Sequence, residues 1–493
     1  MKFLINGELI DKSDHYDVIN PYNGEIVDSV PIAYRSDVDM AIEVANNAKK
    51  ALNDLSAKEV SINLLNACEE LEKESENIAK LIVQEAGKPY KQAIVELQRS
   101  VETLQFAAEE AKRIYGESVP IDATGSVDAR FLAFTKKVPL GVVGAITPLN
   151  YPVNLALHKI APAIAAKNTV VMKPSMEAPL AALRLAEIIN NHFPNGVINS
   201  VTGYGSEVGD ALVVSPDVDK ISFTGSVATG LFISSRAGMK KLTMELGGND
   251  PLIVLDDADI EKAVSAATSG AFLFSGQVCI GVKRIILDNK IADEFIDSFI
   301  KQASKLKIGD PMDESTDIGP VINESSAVNI EQSVYSAIED GAELLIGGNR
   351  KDCFFEPTIL DNVTMDMDIV ANETFGPIAP IIRVDGIDEA IKEANNTQYG
   401  LQSGVFTESI HNALRCANEI DAGSVLINKE STFRTDAMPF GGFKSSGMGK
   451  EGIKYAVEDM CKTKLIAFNC KWLSILVDCW KIDIVEKRFL IKY

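Results

Sequence analysis

The sequence predicts an α/β protein of two units, each a mostly parallel sheet with helices on both faces. Two observations carry that prediction. Between residues 139 and 246 short apolar strands alternate with helices, and a second series of the same kind begins near 250. The chain has 493 residues and is 46% hydrophobic, which is too long for one core and rich enough to fill two or three.

The elements follow in order. "SDVDMAIEVANNAKKALNDL" and "VELQRSVETLQFAAEEAKRIYG", the latter from Val95, space apolar residues three and four apart, so about 40–115 reads as helical. "FLAFTKKVPL", 131–140, reads as extended. Then "LGVVGAIT" is a buried strand, "PVNLALHKIAPAIAA" a helix, "NTVVMKP" a strand and "APLAALRLAEIINNH" a helix. "GVINSVTG" and "DKISFTGS" are strands, each followed by a helix, "SEVGDALVV" and "VATGLFISSRAG", and "KKLTMEL" closes the series. The second series includes the strands "PLIVLD", "VKRIILD" and "GSVLIN" and the helix "IADEFIDSFIKQASKL". No repeat or low-complexity linker intervenes, so the boundary near 247 falls at the Gly-Gly hinge of "ELGGND". Ligands of such sheets sit beyond the carboxyl ends of the strands.

Composition narrows the function. A net charge of −22 argues against nucleic acid, which needs a basic face. "MKFLINGELIDKSD" has an apolar run too short for a signal peptide, and no run approaches bilayer length, so no membrane association is expected. The seven cysteines show no paired framework or CxxC spacing, which implies reduced thiols and a cytoplasmic location. His15, His158, His192 and His411 do not cluster with cysteines or carboxylates at ligand spacing, so no metal site is expected.

Several residues could carry chemistry, each against a plainer reading. "GYGSEVG" approximates a dinucleotide-binding GxGxxG with one residue too many, and a tight strand-to-helix turn explains it equally well. In "FTGSVATG", Gly225 and Ser226 lead a strand into a helix whose N–H groups suit an anion, while a simple Ser N-cap weighs the same. Lys173 ends a strand at the crevice, although a lone lysine is more often solvated. Asn150, between Pro148 and Pro152, is either an oxyanion donor or an Asx turn. Glu245, between Met244 and Leu246, is either a buried base with raised pKa or a loop carboxylate. Cys279 in "FSGQVCIG" defaults to inert core. Against that default, Gly276 and Gly281 open room around it, and Lys283 and Arg284 lie near enough in sequence to favour a thiolate, although strand alternation points one of them away. With no histidine in a recognisable motif, a Cys–Glu pair on this scaffold suggests redox chemistry at a carbonyl rather than a cysteine hydrolase or acyltransferase.

"ITPLNYP", "VVMKPS", "FTGSVATG", "MELGGNDP", "FSGQVCIGVKR", "NETFGPIAP" and "MPFGGFKSSGMGKEG" occur in the order and spacing of the aldehyde dehydrogenase superfamily, which the chain resembles over about residues 1–468. Within it the pattern looks most like the archaeal lactaldehyde dehydrogenase branch, near the non-phosphorylating glyceraldehyde-3-phosphate enzymes. The resemblance implies two Rossmann-like α/β domains and a small β oligomerisation element. The cofactor-binding domain would span 1–117 and 139–247, the catalytic domain 248–450, and the oligomerisation element 118–138 with 451–469. It implies Cys279 as nucleophile, Glu245 as activator of water, and Asn150 with the Cys279 backbone N–H as oxyanion hole. The implied cofactor set is Thr147, Lys173, Gly225, Ser226, Val227, Ala228, Thr229, Gly230, Leu246 and Glu373. Lys173 and Glu373 would hold the riboses and the Gly225 segment the pyrophosphate. Arg284 and Phe440–Gly442 would be structural supports.

The implied reaction is oxidation of a small aldehyde through a cysteine thioester that water hydrolyses. Glu245 favours hydrolysis, since CoA-acylating relatives lack it. Family members strict for NAD often carry a glutamate three residues after the strand-end lysine; here Met176 stands there, followed by Glu177, which implies NAD with NADP tolerated. Phosphate-using relatives carry an arginine before the cysteine; here it is Val278, which favours a neutral 2-hydroxyaldehyde such as lactaldehyde over glyceraldehyde-3-phosphate or succinate semialdehyde. Arg434 in "STFRTD" would bind a substrate hydroxyl or carboxylate, or make a surface salt bridge. The resemblance implies a homodimer or homotetramer. It ends near "TKLIAFN", leaving 470–493 as an atypical tail that is either a subunit-contacting extension or an irregular add-on. An inactive nucleotide-binding scaffold is the competing class, disfavoured because Cys279, Glu245 and Asn150 are all present.

Overall fold

The computed structural model describes residues 1–124 and 131–469. Two hairpins open the chain. β1 (Phe3–Ile5) and β2 (Glu8–Ile10) turn through Asn6 and Gly7, whose φ of 54° and 78° is the left-handed pair that a two-residue hairpin favours. β3 (His15–Ile19) pairs antiparallel with β4 (Ile26–Pro31). Three helices follow, α1 (Arg35–Asp54), α2 (Ala57–Ala86) and α3 (Tyr90–Glu110), and then β5 (Phe131–Pro139). Ser56 and Glu59 form a capping box at the start of α2, which ends at Gly87 with a left-handed φ of 68°. That turn brings α3 back across the molecule.

The first unit is built on β6 (Val142–Ile146), α4 (Asn154–Ala165), β7 (Thr169–Lys173), α5 (Leu180–His192), β8 (Ile198–Ser200), α6 (Asp210–Val214), β9 (Lys220–Thr224), α7 (Val227–Arg236) and β10 (Lys241–Glu245). The strands lie parallel in the order β10-β9-β6-β7-β8. The order reverses beside β6, which opens a crevice at the strands' carboxyl ends. β7 and β9 are buried throughout, as their near-continuous apolar runs require. α4 is buried along its whole length, so His158 and Lys159 are interior residues.

The second unit contains β11 (Asp250–Val254), α8 (Ile260–Phe272), β12 (Val282–Asp288), α9 (Ala292–Ala303), α10 (Glu324–Glu339), β13 (Glu343–Ile346), the small hairpin β14 (Arg350–Lys351) and β15 (Phe354–Phe355), β16 (Thr358–Asp361), α11 (Asp368–Ala371), β17 (Ile378–Val384), α12 (Ile387–Asn395), β18 (Gln402–Phe406), α13 (Ile410–Glu419) and β19 (Ser424–Ile427). Its sheet runs β13-β16-β17-β12-β11-β18-β19, with only the edge strand β13 antiparallel.

The chain then returns to the first unit. β20 (Gly447–Met448) pairs antiparallel with β10, setting Gly447 opposite Glu245. α14 (Ile453–Asp459) puts Ile453 and Val457 into the core that α2, α3 and α4 share. β21 (Cys461–Asn469) pairs along its length with β5 as a two-stranded ribbon. The tail 470–493 and residues 125–130 lie outside the described residues. Among the described residues no helix is long and apolar enough to cross a membrane, and no cluster of side chains has the makings of a metal site.

Candidate active site

A cavity of about 1060 Å³ occupies the crevice between the two units. Its long arm lies over the carboxyl ends of β6, β7 and β9. Thr147, Lys173, Gly225, Ser226, Ala228, Thr229 and Leu246 are on its wall, and so are Glu373 and Cys279. Lys173 is buried and donates only to its neighbour's carbonyl, Pro174 O, at 3.0 Å; desolvation lowers its pKa to about 8. Thr147 Oγ1 is buried with no partner. Ser226 caps α7, accepting from the Thr229 N–H at 3.3 Å, so it is an N-cap and also part of the cavity wall. Glu373 accepts from the Gly248 N–H at 3.3 Å, and burial pushes its carboxyl up to about 7. A lysine without a carboxylate partner, an unpartnered hydroxyl, a helix N-terminus and a carboxylate along one crevice fit a dinucleotide with two riboses and a pyrophosphate.

Two residues expected in the cofactor set do not reach this wall. Val227, the first residue of α7, is half-buried against the core, and Gly230 lies under Leu246, whose Cδ2 a Cβ would meet at 2.5 Å. In exchange the wall includes Met176, Glu177, Gly205, Ser206, Gly209 and Phe375. Gly205 to Gly209 belong to the "GYGSEVG" turn, and its surplus residue is taken up by a wide π-helical turn before α6.

Cys279 sits between α8 and β12 on an unusual loop. Phe274, Ser275 and Gly276 are consecutive left-handed residues, with φ of 47°, 53° and 71°. Gly276 has no room for a side chain, since a Cβ would lie 1.9 Å from Gly376 O. Lys283 donates to Gly276 O, and Arg284 donates to Asn249 O, Glu393 O and Ala394 O at 2.8–3.0 Å. Both cations are committed to carbonyls, so the expectation that they favour a thiolate is not met. Burial, followed by the charges of Glu373 and Asp250, pushes the Cys279 thiol up to about 12.

Asn150 faces this loop. Its Nδ2 donates to Gln277 O at 3.0 Å, and its Oδ1 accepts from the Tyr151 N–H at 3.0 Å. The local turn and the directed amide therefore coexist. Glu245 ends β10 between Thr224 of β9 and Gly447 of β20. Both its carboxylate oxygens are buried without a partner. Desolvation, then the charge of Glu451, raises its pKa well above the carboxylate range, against Arg434, Lys159 and Lys450.

The polar cluster behind Glu245 was not found from the sequence. Glu451 accepts from Lys159 Nζ at 2.9 Å and from Arg434 Nη2 at 3.3 Å, and it is held below the usual carboxylate range. His158 Nε2 lies 2.7 Å from Asp436 Oδ1, which also takes Arg99 Nη2 at 2.8 Å. Arg434 is only 5% exposed, stacks 3.7 Å over the Phe440 ring and leaves its Nε without a partner. It is thus neither a surface salt bridge nor part of the cavity wall. The available signal was in α4, where polar His158 and Lys159 interrupt a helix apolar on every side.

A crevice suited to a dinucleotide and lined by a cysteine and an amide, with the Glu245 carboxyl buried behind its Leu246 wall, defines an NAD(P)-dependent oxidoreductase. Residues 9–466 match the aldehyde dehydrogenase family, and the chain belongs to it. It is 45% identical to a lactaldehyde dehydrogenase from Methanococcus aeolicus, over 95% of this chain and 100% of that one. It is 42% identical to a 3-sulfolactaldehyde dehydrogenase from Priestia aryabhattai, over 94% and 97% of the two chains. The glyceraldehyde-3-phosphate dehydrogenase GapN from Methanocaldococcus jannaschii, solved with NADP, superposes with a TM-score of 0.90 at 44% identity, covering 93% of this chain and 100% of that one.

Proposed function

We propose that the protein oxidises a small neutral 2-hydroxyaldehyde, lactaldehyde foremost, to the acid, using NAD and tolerating NADP. The observation that carries this reading is the convergence of Cys279, Lys173 and Glu373 on one cavity beside the Asn150 amide. Cys279 Sγ adds to the aldehyde carbon, its proton passing to solvent water. The oxyanion takes hydrogen bonds from Asn150 Nδ2 and the Cys279 backbone N–H. Lys173 and Glu373 hold the riboses of the dinucleotide, and the N-terminus of α7 its pyrophosphate. When bound, the nicotinamide accepts the hydride that converts the hemithioacetal to a thioester. Glu245, whose raised proton affinity suits it to accept one, then takes a proton from the water that attacks the thioester and passes it to Cys279 Sγ, which leaves as a thiol.

Neutral substrate is supported by the charges around the nucleophile loop. Val278 is apolar and buried. Lys88, Arg99, Lys283 and Arg434 each already have an internal acceptor, in Glu96, Asp436, Gly276 O and Glu451. Within the assembly, 1–117 with 139–247 forms the cofactor-binding domain and 248–450 the catalytic domain. A homodimer or homotetramer is supported by exposed Leu132, Leu465 and Phe468 on the β5–β21 ribbon, because two strands alone are marginal in water. The free thiols of Cys68, Cys353, Cys416 and Cys461 suit a cytoplasmic setting.

The test is a panel of lactaldehyde, 3-sulfolactaldehyde, glyceraldehyde-3-phosphate and succinate semialdehyde with each cofactor, following absorbance of the reduced form. Lactaldehyde with NAD is expected to show the highest kcat/KM. A higher value for an anionic aldehyde, or a large preference for NADP, overturns the corresponding part.

A further inference from the structure

The cysteine loop belongs to the second unit and the Asn150 loop to the first, yet one helix touches both. Gln92, Glu96, Arg99 and Thr103 recur on α3 at spacings of four, three and four, which places them along one face. Gln92 Oε1 accepts from the Phe274 N–H at 3.0 Å, at the first of the three left-handed residues, while its Nε2 donates to Asp317 O at 3.3 Å. Glu96 Oε1 accepts from the Val153 and Asn154 N–H groups at 3.0 and 3.2 Å, capping α4 three residues after Asn150. Its other oxygen takes Lys88 Nζ, which lies 3.6 Å over the Tyr151 ring. Arg99 holds Asp436, and Thr103 Oγ1 donates to Asn154 Oδ1 at 3.0 Å. Left-handed non-glycine residues cost about 1–3 kcal/mol each and persist only when their surroundings hold them. Gln92 is the side chain from outside the second unit that bonds to that triplet.

We propose that this polar stripe of α3 sets the separation between nucleophile and oxyanion donor, with Gln92 as the positioning residue for the Cys279 loop and Glu96 for the Asn150 loop. The proposal rests on the roles given above to Cys279 and Asn150. Neither Gln92 nor Glu96 touches substrate; each acts by fixing a loop.

Gln92→Met keeps length and helix propensity but removes the acceptor. Gln92→Glu keeps an acceptor at the Phe274 N–H. The first turnover of reduced-cofactor formation is expected to slow about 10- to 100-fold in Gln92→Met, because small misplacements at reacting atoms cost rates of that order. Cofactor affinity is expected to match the wild type, the lost hydrogen bond to lower the thermal midpoint by no more than a few degrees, and Gln92→Glu to recover the rate to within about threefold. If Gln92→Met does not fold, Gln92→Lys, which offers only donors, replaces it in the same comparison. First-turnover rates equal to wild type, an equal loss in Gln92→Glu, or a loss tracking cofactor affinity and thermal midpoint each overturn the proposal. Cys279→Ala separates the two levels: turnover in that variant refutes the nucleophile assignment, whereas a dead Cys279→Ala beside a fully active Gln92→Met refutes only the positioning role.

Discussion

Replacing Glu245 with glutamine tests the buried base directly. The side chains are nearly isosteric. Both oxygens of Glu245 are unpartnered, so the amide breaks no hydrogen bond and removes a carboxylate that faces Glu451. General-base contributions of about 100- to 10,000-fold correspond to roughly 3–5 kcal/mol of barrier, which sets the expected fall in steady-state turnover. Stopped-flow absorbance with lactaldehyde and NAD should still show a burst of about one reduced cofactor per site, since the thioester forms and then waits. Stability should move the other way. The folded pKa of Glu245 lies above its unfolded value of 4.5, so folding retains a proton that the unfolded chain has lost. The group is neutral in its effect below 4.5 and costs increasing stability as pH rises above it. The thermal midpoint of Glu245→Gln should therefore gain on that of the wild type progressively as pH rises above about 5, read by calorimetry. Turnover within tenfold of wild type refutes the base assignment, and slow turnover without a burst moves Glu245 to the acylation step alone.

Asn150→Ala should lower kcat/KM about 100- to 1,000-fold while its melting point shifts by only a few degrees; an equal loss of folded protein would make the residue structural. Alkylation of Cys279 by iodoacetamide in the cofactor-free protein should still be accelerating past about pH 10, since the thiol titrates at about 12 rather than at the ordinary 9.0; a plateau below about pH 9 contradicts the burial argument. Met176 lies on the cavity wall, and Met176→Glu should raise the NAD to NADP ratio of kcat/KM about 10- to 100-fold, a cost of roughly 1.4–2.8 kcal/mol against the extra phosphate. An unchanged ratio would remove that position from cofactor selection.

What could be read in the sequence was mainly what local pattern encodes. The alternation from 139 to 246 became β6 through β10 with their helices, and Lys173, Gly225 and Glu245 stand at strand ends where a crevice forms. The β1–β2 hairpin was missed although Asn6-Gly7 is a strong turn signal, because strands of three residues show too little alternation. Glu451 and Lys159 were missed for a different reason. Their chemistry arises only from being brought together across about 290 residues, and no window of sequence reports that. The thiol's proton affinity was read in the wrong direction because strand alternation turns away only one of Lys283 and Arg284 and says nothing of the carbonyl that holds the other. Strand β12 aims both at carbonyls.

The pairing of β10 with β20 has a consequence during synthesis. Gly447 emerges from the ribosome about 200 residues after Glu245, a delay of roughly 10–40 seconds at ordinary elongation rates. Until then the first sheet ends in an open edge, and Glu245 is a wetted carboxylate with neither Gly447 nor Glu451 beside it. The nascent first unit can therefore form its crevice while the carboxyl proposed as the base is still ordinary. The final arm of the chain closes the edge and withdraws water from Glu245. Chemical competence thus arrives with the last part of the polypeptide, after the parts that bind.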